Sequence, residues 1–286
     1  MFPAVFDYAC PASVGEAVRV LAEGGEEAKV LAGGQSLLPM LRLRLARAEL
    51  VVDVNRVPQL RGVWEEADSL VIGAMTTHHD VIHDELVRRH APLLAAATET
   101  VGDPAVRHRG TLGGSLAHAD PAGDLPPVVL VLNGELVAEG PRGRRTIPAA
   151  EFFVDCLTTA LKPDELLVEC RVPKLGEGWG FHYEKFRLSA QAPALVGVAV
   201  AVRRENGGIA EARVGLTNMG ATPLRAATVE VALAGADATA EAVGRAAEAA
   251  AEGTSAMYDL STSPEYRAHL ARVLTRRAVL AAAGSE

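Results

Sequence analysis

The spacing of apolar residues predicts helices at both ends of the chain and several between them. A helix capped by Ser13 is predicted over 13–23, and a long amphipathic helix from Pro264 to about Ala283. The inner positions predicted for that last helix are Tyr266, Leu270, Val273, Leu274, Ala278 and Leu280. Further helices are predicted over 37–45, 77–89, 92–101, 128–132, 224–234 and 238–252, and the 77–89 helix is expected to be exposed.

Short apolar runs bounded by turn residues predict strands at 29–32, 50–54 and 164–172, and hairpins at 61–73 and 135–147. A three-stranded antiparallel meander is predicted over 180–187, 195–203 and 209–217, with Asn206-Gly207-Gly208 as one of its turns. The pattern changes at the glycine-containing segment 174–178. We therefore predict two domains, residues 1–175 and residues 178–286.

Two loops with paired glycines are candidates for binding a ligand. The first, Ala32-Gly33-Gly34-Gln35-Ser36-Leu37, joins a predicted strand to a predicted helix, and the second contains Thr111-Leu112-Gly113-Gly114-Ser115. Free N–H groups at such loops favour phosphate, although an ordinary tight turn with Ser36 as a helix cap explains the first loop equally well. Two such loops would suit a dinucleotide. No G-x-G-x-x-G follows a strand, so a Rossmann site is not indicated.

Charge and hydropathy exclude two classes of protein. The chain of 286 residues has a formal net charge of −8, which argues against a nucleic-acid surface as its main function. Its longest apolar runs, such as 194–202, are too short to span a membrane. The first residues contain neither a basic segment nor a long apolar core, so we expect a cytoplasmic protein.

Cysteine and histidine give no support for a metal site. Cys10, Cys156 and Cys170 are scattered, so this chain alone cannot supply the four thiolates of an iron–sulfur cluster, and we expect all three to be buried. His79 and His83 are one helical turn apart, but no third ligand is evident and we assign no metal. Asp120 followed by Pro121 is typical of a helix start.

The two glycine loops resemble the flavin loops of the medium, FAD-binding subunit of molybdenum hydroxylases, the family that includes carbon monoxide dehydrogenase, quinoline oxidoreductase and xanthine dehydrogenase. The matching segments are Ala32–Pro39 and Thr111–Pro121, and the similarity extends to Ile72–Thr77, Tyr183–Phe186 and the terminal helix. The resemblance implies an α+β fold. Its FAD-binding domain (1–175) is of the two-part vanillyl-alcohol-oxidase (PCMH) type, followed by a smaller α+β C-terminal domain with a three-stranded antiparallel sheet and helices.

The resemblance also implies which residues hold FAD. The backbone of both loops would enclose the pyrophosphate, Asp124 matches an acid that contacts the flavin, and Lys185 matches a lysine near the isoalloxazine ring. Val101 and Leu167 match apolar contacts. The implied cofactor-binding residues are Ala32, Gly33, Gly34, Gln35, Ser36, Leu37, Val101, Thr111, Gly113, Gly114, Ser115, Asp124, Leu167 and Lys185.

The implied function is electron transfer within a complex. A large subunit with the molybdenum cofactor would oxidise the substrate, a small subunit with two [2Fe–2S] clusters would pass electrons to this FAD, and the chain would pass them to an external acceptor. The implied assembly is a dimer of heterotrimers. The alternative is a stand-alone FAD-dependent oxidase of the same broad fold.

One departure from the family concerns the wall of the flavin site. Members often carry Arg-x-Gly-Asp-aromatic after the Tyr-Glu-Lys-Phe segment, whereas this chain has Ser189-Ala190-Gln191-Ala192-Pro193. The aromatic residue is absent, so access of solvent and acceptor to the flavin is expected to differ. In addition, His108 stands where the family commonly has Asn.

Overall fold

A computed structural model describes residues 2–284. Met1, Ser285 and Glu286, which the predicted domain ranges include, lie outside the described residues. The strands are β1 Asp7–Ala9, β2 Ala28–Leu31, β3 Leu50–Asp53, β4 Val63–Glu65, β5 Ser69–Gly73, β6 Glu135–Gly140, β7 Gly143–Pro148, β8 Phe153–Asp155, β9 Thr158–Thr159, β10 Leu166–Pro173, β11 Trp179–Phe186, β12 Val196–Glu205, β13 Gly208–Thr217 and β14 Leu224–Arg225.

The α-helices are α1 Val14–Gly24, α2 Leu37–Leu43, α3 His78–His83, α4 Glu85–His90, α5 Pro92–Glu99, α6 Pro104–Arg107, α7 Leu112–His118, α8 Leu125–Val131, α9 Ala149–Phe152, α10 Ala227–Leu233, α11 Ala240–Ala247 and α12 Pro264–Ala283. Short 3₁₀ turns follow α1, β3 and α11. Within the described residues, none of these helices combines the length and the apolar character needed to cross a bilayer.

The first part of the chain forms a small parallel sheet in the order β1-β3-β2. Helix α1 covers it because Ser13 caps the helix, accepting a bond from the Glu16 N–H, and because its apolar face, 14, 17, 18 and 21, is buried. That face packs in one cluster with Val52 of β3, Val137 of β6 and Leu166 of β10. Helix α1 therefore joins the parallel sheet to the sheet that follows.

The second part is an antiparallel sheet in the order β4-β5-β10-β6-β7, covered by α5, α7 and α8. Its core consists of leucines and valines such as Leu93, Leu116 and Val128, all fully buried. The second glycine loop belongs to this part, whereas the first belongs to the parallel sheet. The ligand loops thus come from two different sheets.

The C-terminal part is an antiparallel sheet in the order β11-β12-β13-β14, with α10, α11 and α12 packed on it. The short strand β14 was not predicted, so the sheet has four strands instead of three. Tyr183, Ala199 and Ala201 from this sheet belong to the core of the preceding part. The core therefore crosses the predicted domain boundary, and the boundary itself stays a prediction.

The α+β class is confirmed, and several local expectations were wrong. The single exposed helix at 77–89 is two helices, because the Asp84 carboxylate accepts the N–H groups of Leu86 and Val87 and starts a new helix there. Asp120 caps no helix and instead accepts the Ala122 N–H within a turn. Tyr266 is exposed rather than inward, and its neighbour Arg267 is buried.

The cysteines also differ from the expectation. Cys170 is buried, and burial raises its thiol pKa to about 12. Cys10 is half-buried, however, and Cys156 is exposed. The three cysteines therefore do not share a place in the core.

Candidate cofactor site

A cavity of about 620 Å³ lies where the two sheets and the C-terminal sheet meet. Its walls come from the first glycine loop, the second glycine loop, the turns near residues 101 and 120–124, the start of β10, and Lys185 with residues 191–193 of the C-terminal part. The volume falls within the range usual for small-molecule and cofactor sites. The three larger sheets of the fold therefore contribute to one site.

The first glycine loop presents backbone donors without partners. Among the described residues, the N–H groups of residues 33–36 donate to no other residue. Ser36 stands at the start of α2, but its hydroxyl makes no capping bond. Gly34, Gln35 and Ser36 line the cavity, so these free donors lie at its wall. A row of free N–H groups suits the oxygens of a phosphate.

The glycines of this loop are required by conformation and packing. Gly34 has φ +75°, which L side chains rarely adopt. A Cβ on Gly33 would lie 2.1 Å from the carbonyl oxygen of Arg109, so Gly33 packs directly on the backbone that precedes the second loop. The first loop is thus in contact with the segment that leads into the second.

The second glycine loop has little free backbone. Gly113 N–H donates to the Ala74 carbonyl at 2.8 Å, and Gly114 N–H donates to Thr111 Oγ1 at 3.1 Å. A Cβ on Gly113 would lie 2.5 Å from the Ala74 Cβ. Thr111 caps α7, and the glycines allow this helix to lie against the end of β5. This loop therefore forms a closely packed part of the cavity wall and offers few free N–H donors.

A buried ion pair closes the cavity from the C-terminal side. Lys185 Nζ donates to Asp124 Oδ2 at 2.7 Å and to the Thr100 carbonyl at 3.1 Å, while the Tyr183 hydroxyl donates to Asp124 Oδ1 at 2.7 Å. Burial raises the pKa of Asp124, although Lys185 and Tyr183 both favour its ionised form. The Lys185 side chain is 4% exposed and lines the cavity. Lys185 therefore places a cation at the cavity wall.

His78 is a neutral histidine in the wall beside the second loop. Burial, together with the positive charge of Arg107, lowers its pKa to about 4. Its backbone N–H donates to the Gly110 carbonyl at 2.9 Å, and its ring lies against Gly110. The neighbouring rings of His79, His83 and His108 are in contact, but no group of three metal-ligating side chains forms within residues 2–284.

The structure brings together nearly all the residues that the resemblance indicated. The cavity is lined by Ala32, Gly34, Gln35, Ser36, Leu37, Val101, Thr111, Gly113, Gly114, Ser115, Asp124, Leu167 and Lys185. Gly33 lies behind the loop instead, against Arg109. The assignment of these residues to FAD stays a prediction.

The site includes residues that sequence reasoning missed. Met75 and His78 enter from the segment after β5 and from the start of α3. Gln191, Ala192 and Pro193, in the segment where the sequence departs from the family, also line the cavity. The Gln191 amide donates to Asp103 at 2.8 Å, which holds this segment against the cavity. Asn55 was also missed, although Asp53-x-Asn55 at the end of a buried strand is a typical polar turn.

FAD fits this arrangement on three structural grounds. The first loop offers unpartnered donors where a pyrophosphate would need them. The glycine positions leave no space for a Cβ, so the loops and the cavity wall have one close-packed arrangement. Lys185 supplies a buried cation at the wall of the same cavity.

Comparison with known proteins identifies two consecutive family matches. Residues 4–175 match the FAD binding domain in molybdopterin dehydrogenase, and residues 181–282 match the CO dehydrogenase flavoprotein C-terminal domain. The carbon monoxide dehydrogenase medium chain of Hydrogenophaga pseudoflava is 43% identical over 99% of this chain and 98% of that relative.

Solved structures agree with the sequence comparison. A chain of the reconstituted CO dehydrogenase from Oligotropha carboxidovorans matches with a TM-score of 0.97, 35% identity and 100% of both chains covered. A chain of quinoline 2-oxidoreductase from Pseudomonas putida 86 matches with a TM-score of 0.95, 33% identity and 99% of both chains covered. Each similarity extends over both parts of the fold.

Proposed function

The chain belongs to the family of FAD-binding medium subunits of molybdenum hydroxylases, and we propose that it carries electrons between an iron–sulfur partner and an external acceptor. Its class is oxidoreductase and its cofactor is FAD. The predicted two-part FAD-binding fold with a smaller C-terminal domain is confirmed by the same comparisons. The direction of electron flow and the partners belong to the proposal.

We propose that the first glycine loop and Lys185 hold two different parts of FAD. The free N–H groups of residues 33–36 would bind the pyrophosphate, and Lys185, held by Asp124, would lie beside the isoalloxazine ring. Bound FAD supplies a ring system that accepts electrons and passes them on, while the protein binds it, orients it and sets its electrostatic surroundings. Val101 and Leu167 would supply apolar contacts to it.

The observation that carries the proposal is one cavity that unites free backbone donors with a buried lysine. The chain has three cysteines, fewer than the four thiolates of an ordinary iron–sulfur cluster, so such clusters would belong to another chain. We therefore propose a small iron–sulfur partner with two [2Fe–2S] clusters and a large molybdenum-cofactor partner, assembled as a dimer of heterotrimers.

Purification from the native host tests this function. A tagged chain should copurify with an iron–sulfur chain and a molybdenum-containing chain, with one FAD per copy and a mass equal to two heterotrimers. A yellow protein that purifies alone and oxidises substrates directly would instead support a stand-alone oxidase. The structure of the FAD-loaded complex tests the site, because an isoalloxazine ring outside hydrogen-bonding reach of Lys185 would contradict our assignment. Cell fractionation would test the cytoplasmic location, which stays a prediction of the sequence.

A further inference from the structure

The first glycine loop is held by a single polar side chain. Asn55 lies in the 3₁₀ turn after β3, and its amide Nδ2 donates to the Ala32 carbonyl at 2.8 Å. No other side chain of residues 2–284 bonds to the backbone of residues 32–36. The loop is otherwise restrained by the packing of Gly33 on the Arg109 backbone and, at its far end, by the N–H groups of Leu38 and Met40, which donate to the Gly34 and Ser36 carbonyls.

The Asn55 amide is itself fixed from two sides. Asp53 Oδ1 accepts from both the Asn55 backbone N–H at 2.9 Å and its Nδ2 at 2.7 Å, which sets the direction in which the amide points. The Tyr8 hydroxyl donates to Asp53 Oδ2 at 2.6 Å. Burial disfavours ionisation of Asp53, but the bonds from Tyr8 and Asn55 outweigh it and lower the pKa of this carboxyl. Asn55 is therefore bonded to an ionised carboxylate, which favours a strong hydrogen bond.

A hydrogen bond to the Ala32 carbonyl also orients the donor beside it. The peptide between Ala32 and Gly33 is planar and trans, so its carbonyl and the Gly33 N–H point in opposite directions. By holding the carbonyl on the β3 side, Asn55 turns the Gly33 N–H away from β3. The Gly33 N–H has no protein partner to hold it, so its direction, and with it the start of the loop, depends on this restraint.

We infer that Asn55 is a positioning residue that fixes the first loop for the pyrophosphate of FAD. This inference rests on the proposed FAD site and adds a residue outside the cavity lining. It predicts that replacing Asn55 weakens the binding of the phosphate-bearing part of the ligand and leaves the binding of the flavin ring unchanged. If the role of Asn55 were purely structural, its replacement would weaken binding of the phosphate-bearing part and of the flavin ring alike.

The test compares two ligands on the full-length chain stripped of flavin. Asn55→Ala should weaken FAD binding at least tenfold, measured by quenching of flavin fluorescence, while riboflavin, which has no phosphate, should bind within twofold of the original. Asn55→Ser provides a second variant in case the alanine variant does not fold, since the serine hydroxyl is too short to reach the Ala32 carbonyl. Thermal unfolding without flavin checks that each variant is folded.

A matched pair of isosteric variants controls for the loss of any asparagine. Asn218 donates its Nδ2 to the Ala194 carbonyl at 2.7 Å in the C-terminal part. Asn55→Asp and Asn218→Asp each replace such a donor by an acceptor, but only Asn55→Asp should weaken the binding of FAD. Because a new carboxylate could also repel the pyrophosphate, the weakening should persist at high salt, where charge repulsion is screened.

Failure of the inference is distinguishable from failure of the proposed site. If the unmodified chain binds FAD no more tightly than riboflavin, the pyrophosphate site is wrong and the role of Asn55 is wrong with it. If the chain prefers FAD and Asn55→Ala or Asn55→Ser retains the full preference, only the role of Asn55 is overturned. Equal weakening of both ligands would also overturn it.

Discussion

The two glycine loops look alike in sequence and differ in what they leave free. Residues 33–36 begin at a parallel sheet, lack a side-chain cap and retain unpartnered N–H groups. Gly113 and Gly114 lie inside α7, where the Ala74 carbonyl and the Thr111 hydroxyl accept their N–H groups. One loop is a set of donors, and the other is a packed wall.

The difference shows that a glycine pair can serve two physical purposes. In the first loop, Gly34 permits a positive φ that leaves the backbone open. In the second, Gly113 permits α7 to approach the end of β5 closely, and the backbone N–H groups donate to other groups of the protein. We therefore expect ligand affinity to depend on the free donors of the first loop, and protein stability to depend on the close packing of Gly33 and Gly113.

Alanine at the two packed glycines should give the largest effect. Gly33→Ala would put a Cβ against the Arg109 carbonyl and separate the loops, and Gly113→Ala would overpack α7 against Ala74. Each should lower the free energy of unfolding of the flavin-free chain by about 3 kcal/mol, measured in urea. Gly15→Ala is the control, because no atom lies near its added Cβ and it should be neutral or stabilising. A Gly33→Ala variant as stable as Gly15→Ala would show that the loops are not in contact.

The stability of the region beside the second loop should also depend on pH, because His78 packs against Gly110 there. The pKa of His78 is about 4 in the folded protein and about 6.5 when unfolded, so the unfolded state takes up the proton first as pH falls. The stability that a neutral His78 contributes is fully present above pH 6.5 and is lost between pH 6.5 and 4. Between pH 7.5 and 5 we expect His78 to account for about 2 kcal/mol of lost stability.

Urea unfolding at both pH values measures this loss. His78→Gln should lose less stability than the original chain over that range, whereas the exposed control His269→Gln should lose as much as the original. Identical pH dependence of the original chain and His78→Gln would mean that the imidazole beside Gly110 is not held neutral.

The smallest expected effect compares the two helix starts. Thr111→Val removes the hydroxyl that accepts the Gly114 N–H and should cost about 1 kcal/mol. Ser36→Ala removes a hydroxyl without a capping bond and should cost less than about 0.5 kcal/mol. Urea unfolding of the flavin-free chain gives both values. An equal cost for the two variants would mean that Ser36 caps α2 in solution.

Local patterns predicted the elements whose determinants lie close together in sequence. Ser13 and the apolar spacing after it gave α1, and the turn at Asn206-Gly207, with φ of 51° and 87°, gave the hairpin between β12 and β13. The β8–β9 hairpin was missed because its turn places Leu157 at φ +55°, and leucine gives no turn signal. The inner face of α12 was misjudged at Tyr266, since Arg267 is the residue that reaches inward to the Leu195 carbonyl.

Which residues line the cavity could largely be predicted. Which of the two glycine loops keeps free N–H groups could not. The glycine pairs stand out in the sequence, whereas Asp124 and Lys185 were indicated only by the resemblance to the family. Whether an N–H of a loop is free depends on residues distant along the chain, such as Ala74 beside Gly113. The role of Asn55 likewise depends on a contact across 23 positions, and no local spacing reveals it.

The Lys185–Asp124 pair has a consequence for the order in which the protein is made. The two residues are 61 positions apart, and the ribosome releases the carboxylate long before its ammonium partner. Until β11 emerges, a nascent chain has both glycine loops but one open side where Lys185 and Pro193 will stand. An uncompensated buried carboxylate is costly, so the earlier part cannot settle fully on its own. The wall of the cavity is therefore complete only in a chain that extends through residue 193.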